Sequence, residues 1–177
     1  MVISVDVSHV FKHPVEFVAK VHFSKYPNAK EQNVTKIDTL VHNFDISSGI
    51  DYRKRIATCT NVIPTVLRSI KILDVNAILL EEQAWLDPGN RIFRLKSRNL
   101  TWSEYANIWE ESIFKPSEEN PHWTKLEQKG EIDIYGLGPF GRIIEIFARS
   151  FLHAGVKRGL NIMEDLLKKR SQMEQKS

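Results

Sequence analysis

The sequence has one cysteine, Cys59, in 177 residues. No internal disulfide can form from it, and no cysteine-based zinc site. Histidines stand at 9, 13, 22, 42, 122 and 153, with no His-Glu-X-X-His spacing among them. No apolar run reaches the ~18 residues of a helical membrane span. There is no Gly-X-Ser-X-Gly elbow and no phosphate-binding loop, so the commonest hydrolase and nucleotide-binding signatures are missing. Gly136, Gly138 and Gly141 approach a dinucleotide pattern after a strand, but no βαβ unit frames them, and they read as a hinge. The formal charge of +3 is too small to argue for nucleic acid. It suits an anionic surface or an acidic partner. Cys59 has no nucleophile signature around it and reads as a small buried strand residue. No catalytic set, metal site or cofactor motif emerges, and the expectation is a protein that is not an enzyme. The first eleven residues, MVISVDVSHVF, carry neither an Arg-rich presequence nor a secretory core. The expectation from them is a cytosolic protein unless an internal signal or a carrier directs it to an organelle.

What is present is an ordinary globular composition, 42% hydrophobic, at a length that bounds one domain. The domain is expected over residues 1–172, with a polar tail at 173–177. Val5, Val7 and Phe11 alternate with Asp6, Ser8 and Lys12 as a strand. Pro14 opens a short helix that ends at Lys25-Tyr26-Pro27-Asn28. Strand signals follow at about 33–44, 50–60, 76–87, 91–101, 104–115 and 123–135, separated by turn clusters such as Asp87-Pro88-Gly89-Asn90. In the second of these, Arg53, Arg55, Ala57 and Cys59 share one face. Residues 61–75 break the pattern with a short helical piece. From about Pro139 to Arg170 apolar residues recur at helical spacing: Phe140, Ile143, Ile144, Phe147, Phe151, Leu152, Leu160, Met163, Leu166 and Leu167. The pattern predicts an α+β domain: an antiparallel meander against one long C-terminal helix.

Several stretches together point to a family. They are His9-Val10-Phe11 with Pro14, Lys25-Tyr26-Pro27-Asn28, Tyr52-Arg53-Lys54-Arg55-Ile56, Asn61-Val62-Ile63-Pro64 and, inside the long helix, Val156-Lys157-Arg158-Gly159. Across essentially its whole length the chain resembles the PRELI/MSF1 family. The resemblance implies a START-like fold, a curved antiparallel sheet of about seven strands clasping the helix around a lipid cavity. It implies a phospholipid transfer protein that moves phosphatidic acid or phosphatidylserine between mitochondrial membranes across the intermembrane space, touching them peripherally. It also implies a small helical partner of the twin-cysteine-motif type. A lipid binder or partner-recruiting module of the same fold, without transfer activity, is the alternative.

Matched position by position, the resemblance assigns the lipid head group to Lys25, Arg55 and Lys157, with Arg158 next. Two departures stand out. Some members that carry phosphatidic acid have lysines where this chain has Cys59 and Phe151. The 61–73 segment is expected to be a lid that opens at a membrane. Val62, Ile63, Leu67 and Ile70 would insert, and Arg68 and Lys71 would meet anionic lipid. Arg94, Lys96 and Arg98 form a basic row for which cross-strand pairing with Glu81, Glu82, Glu110 and Glu111 is the simplest role.

Overall fold

The computed structural model describes residues 2–177. Seven strands and two α-helices follow one another. They are β1 (Val2–Phe11), α1 (Val15–His22), β2 (Val34–Phe44), β3 (Asp51–Thr60), β4 (Ala77–Asp87), β5 (Ile92–Asn99), β6 (Ala106–Pro116), β7 (Thr124–Ile134) and α2 (Gly141–Glu174). The strands form a single antiparallel sheet in the order β1-β7-β6-β5-β4-β3-β2. From β2 to β7 each strand pairs with the next in sequence, the meander predicted. Residues 61–75 hold two 3₁₀ turns, Thr65–Ser69 and Lys71–Leu73, where one helical piece was expected. Pro64 sets the first turn, and isoleucines and valines at 63, 66, 70 and 72 disfavour a continuous α-helix. The helix α2 has 34 residues, about 51 Å of axis at 1.5 Å per residue.

Alternation gives the sheet two unlike faces. On the outer face Lys54 pairs with Glu81 at 3.1 Å, and Arg98 with Glu81 at 3.0 Å. Arg94 and Lys96 lie 3.9 and 3.6 Å from Glu111. The basic row of β5 is thus engaged by carboxylates of its neighbouring strands.

The inner face is closed in two places. At one end α1 and the C-terminal half of α2 seal a core of Phe11, Val15, Val18, Val21, Phe93, Phe114, Leu126, Met163 and Leu167. Phe93 and Phe114 meet at 5.3 Å between ring centroids, and both are almost fully buried. At the other end Ile63 and Leu73 of the 61–75 segment pack with Ile144, Trp102, Leu137 and Phe147. Between the two clusters the sheet and α2 enclose a cavity.

Candidate functional site

The cavity has a volume of about 480 Å³, within the usual range for small-molecule sites. Its lining is divided by sequence register. The inward residues Arg55, Glu82, Ser97, Glu110 and Gly130 lie opposite one another across β3 to β7. They form a polar belt above the Phe93–Phe114 core. Beyond the belt the same strands contribute Ile78, Leu80, Ile108, Ile132 and Ile134, and α2 contributes Ile144, Phe147, Phe151 and Leu152. One end of the cavity is therefore polar and charged, and the walls toward the 61–75 segment are apolar.

The belt contains a buried network. Arg55 Nε and Nη2 donate to Glu82 Oε1 at 2.9 and 2.6 Å. His22 Nε2 lies 3.1 Å from Glu82 Oε2, at the end of α1. The carboxylate has no proton to give, so the imidazole N–H donates to it. Burial pushes the His22 pKa below its ordinary value despite the adjacent carboxylate. Burial alone would raise Glu82, but His22 and Arg55 outweigh it and hold the group at about 2. The Arg55 guanidinium also sits 5.2 Å from the Phe23 ring centre.

Lys25 follows α1 and reaches into the cavity beside the helix residue Gly159, where an added Cβ would lie 3.5 Å from its Nζ. Its ammonium lies 5.0 Å from the Tyr26 ring centre. Among the described residues it makes no ion pair, and burial lowers its pKa. Arg158 donates through Nε to Glu31 Oε2 at 2.6 Å. Glu110 faces the cavity with Ser112 and Gln128 as its hydrogen-bond donors, and burial raises its pKa.

The four head-group candidates therefore differ. Lys25, Arg55 and Arg158 converge on the polar end, Arg55 and Arg158 already paired to carboxylates. Lys157 does not join them: it is exposed. At about 100° per residue it projects opposite the cavity-facing stripe of Ile144, Ala148, Phe151, Gly155 and Gly159. Cys59 and Phe151 both line the cavity, and burial pushes the Cys59 thiol up to about 11. The carboxyls Glu31, Glu82 and Glu110 and His22 were missed as cavity residues. The alternation of β4 and β6 could have put Glu82 and Glu110 on the face opposite Glu81 and Glu111, but adjacent glutamates read as a solvated pair.

The lid residues need a similar correction. Val62 and Ile63 line the cavity, and Leu67 and Ile70 pack on the inner cluster. Arg68 faces the chain itself, donating to the carbonyls of Ile63 at 2.9 Å and Asn61 at 2.5 Å. Lys71 is exposed, as is Val66, which was not singled out. Phe140, in the 3₁₀ turn just before α2, and Ile143 on α2 are about half exposed and Ile146 more so, all three outside the cavity-facing stripe. No helix among the described residues is long and apolar enough to cross a membrane.

Comparison with known proteins agrees with this architecture. The PRELI-like family profile matches residues 16–174, and the chain belongs to that family. A relative, the protein slowmo homolog of Dictyostelium discoideum, is 27% identical over 163 residues, covering 91% of this chain and 69% of its own. Among solved structures, a protein of Thermus thermophilus superposes with a TM-score of 0.61 at 11% identity, covering 96% of this chain and 99% of its own. The Zhui aromatase/cyclase of a Streptomyces species does so at 0.56 and 14%, covering 97% and 94%. At these identities the two structures share the fold and nothing finer. Family membership supports lipid binding or transfer in the general sense and an association with mitochondria. The cyclase likeness is one of fold and does not establish an enzyme.

Proposed function

We propose that this member of the PRELI-like family is a phospholipid carrier that takes an anionic phospholipid, phosphatidic acid or phosphatidylserine, from one mitochondrial membrane to another across the intermembrane space. The observation that carries the reading is the division of the cavity. A polar belt with Lys25, which makes no ion pair among the described residues, lies at one end, and an apolar wall leads from it toward the 61–75 segment. A phosphate in such a place needs a cation and donors, because a buried unpaired anion is costly. Lys25 supplies the charge. Arg158 reaches the same end and can share its guanidinium between Glu31 and the phosphate. The acyl chains lie along Leu80, Ile108, Ile132, Phe147 and Phe151.

Loading requires the 61–75 segment to move away from Ile144 and Phe147. Val66 on the segment and Ile143 and Ile146 on α2 are apolar and exposed. Together with Lys71 and Arg142 they make a surface suited to the interface of an anionic bilayer. A small twin-cysteine-motif helical protein is the partner that the family resemblance suggests.

The test is transfer of fluorescent phosphatidic acid, phosphatidylserine and phosphatidylcholine between vesicles by the full chain, with and without such a partner. Catalytic movement of an anionic lipid is expected. Retention of lipid without movement would favour a binding module instead. That second reading draws on Cys59 and Phe151, which stand where some phosphatidic acid carriers of the family have lysines.

A further inference from the structure

The inner face carries as many carboxyls as cations. Lys25, Arg55 and Arg158 are set against Glu31, Glu82 and Glu110. Two of the carboxyls are satisfied by arginines, Glu82 by Arg55 and Glu31 by Arg158, each at 2.6 Å. Glu110 is different. Its neighbours across the sheet are Ser97 on β5 and Gly130 on β7, neither of them charged. Ser112 Oγ donates to its Oε1 at a long 3.4 Å, and Gln128 supplies the other hydrogen bond. Lys25 attracts it through space without a hydrogen bond, and among the described residues no cation pairs with it.

A carboxyl in this position is costly unless it meets a charge or a donor. For an acyl chain it is a poor neighbour, and for a bare phosphate a repulsive one. With Glu110 ionised, three carboxyls cancel three cations, and the polar end then has no surplus positive charge with which to neutralise a dianion. A head group carrying an ammonium next to its phosphate meets both needs. Lys25 takes the phosphate, and Glu110 takes the ammonium.

We infer that Glu110 is a specificity-determining residue that accepts a primary ammonium, so that the cavity selects amine-bearing phosphodiester lipids over phosphatidic acid. The inference rests on the carrier reading above and sharpens it. The ligand class is a glycerophospholipid whose head group has an N–H donor, as in serine or ethanolamine. A choline head group has the charge but no N–H to donate. Tyr26 is the aromatic ring beside Lys25, and a lysine over its face leaves that face unavailable to a quaternary ammonium.

The experiment is competitive extraction by the full chain from vesicles holding equal phosphatidic acid, phosphatidylserine, phosphatidylethanolamine and phosphatidylcholine, read by mass spectrometry of the protein-bound lipid. The wild type should favour the serine or ethanolamine lipid over phosphatidic acid by about tenfold or more, the size of one charged hydrogen bond. Glu110→Gln keeps the size but not the charge and should bring the ratio close to one. Phosphatidic acid bound by the wild type as well as the amine lipids would overturn the inference and leave the carrier reading intact. A folded Glu110→Gln protein with unchanged preference would overturn the assignment to Glu110. No retained lipid of any kind would overturn both readings. If the variant does not fold, the wild-type ranking still tests the amine selectivity, and a preference for phosphatidic acid overturns the inference.

Discussion

Arg55 on β3 and Glu82 on β4 face each other directly across the sheet, and the guanidinium gives two of its N–H groups to one carboxylate oxygen. The arginine that the family resemblance assigns to the head group is thus already held by the protein. Arg55→Glu, the obvious test of a head-group role, would set two carboxylates against each other in the interior and should unfold the domain. Glu82→Gln is more informative. It leaves Arg55 enclosed without its counter-charge, which should cost about 3 kcal/mol of stability. A denaturant titration checks this, and the double variant Arg55→Met/Glu82→Gln should recover part of the loss. A Glu82→Gln protein as stable as the wild type would mean that water reaches the guanidinium freely.

The belt also sets the dependence of stability on pH. Glu82 is held at about 2, below its ordinary 4.5, so its contribution is present above about 4.5 and lost as pH falls toward 2. His22 is lowered from 6.5 by burial, so the folded state resists its protonation and stability declines from that pH downward. Glu110 acts with the opposite sign. Its pKa is raised by burial, so its contribution is present at low pH and lost as pH rises through the folded value. Melting temperature against pH should therefore show a maximum. Glu82→Gln should flatten the acid side and Glu110→Gln the other. A Glu110→Gln protein more stable than wild type at neutral pH would mark Glu110 as a group kept at a cost to stability.

Asn61 governs the 61–75 segment. Its side-chain amide donates to the carbonyls of Leu73 and Val75 at 2.8 and 3.0 Å, and its oxygen accepts from the backbone N–H of Ile63. One buried side chain thus ties both ends of the segment together, and Arg68 adds a second tie. Asn61→Ala should cost about 1–3 kcal/mol, because the freed backbone groups are left partly unsatisfied. Hydrogen exchange should accelerate in residues 62–73 and leave β5 and β6 protected. Uniform acceleration across the domain would mean that the segment does not open separately.

Element order was legible because each strand alternates and each turn has its own chemistry. The strand expected at 123–135 is observed as β7, Thr124–Ile134. The apolar stripe of α2 was legible in part. Ile144, Phe147 and Phe151 face inward as their spacing requires, whereas Ile143 lies outside, about 100° around the axis from Ile144 and beyond the edge of the stripe. Lys157 was misplaced for the same reason: a family match fixes a position in the chain, not an azimuth on the helix. The carboxyls of the cavity were hidden by pairing. Glu81-Glu82 and Glu110-Glu111 read as surface acid, yet the pleat sends one of each inward. Arg68 looked like a membrane-facing cation because local sequence does not reveal which carbonyls a guanidinium will find.

Gly155 offers the cleanest way to separate the cavity from the fold. It lies in the middle of α2 and lines the cavity, and an added Cβ would meet nothing within 4 Å. Glycine in a helix interior is about 1 kcal/mol worse than alanine, so replacement favours the helix itself. Gly155→Phe places a ring in space that an acyl chain would occupy, beside Phe151 and Leu152. The variant should fold with equal or higher melting temperature and bind lipid at least tenfold more weakly. Gly155→Ala, which adds stability and little volume, should retain binding and serves as the control. If Gly155→Phe instead binds lipid normally, the chains do not run along this stretch of α2. If it unfolds, α2 lies closer to the sheet in solution than the cavity allows.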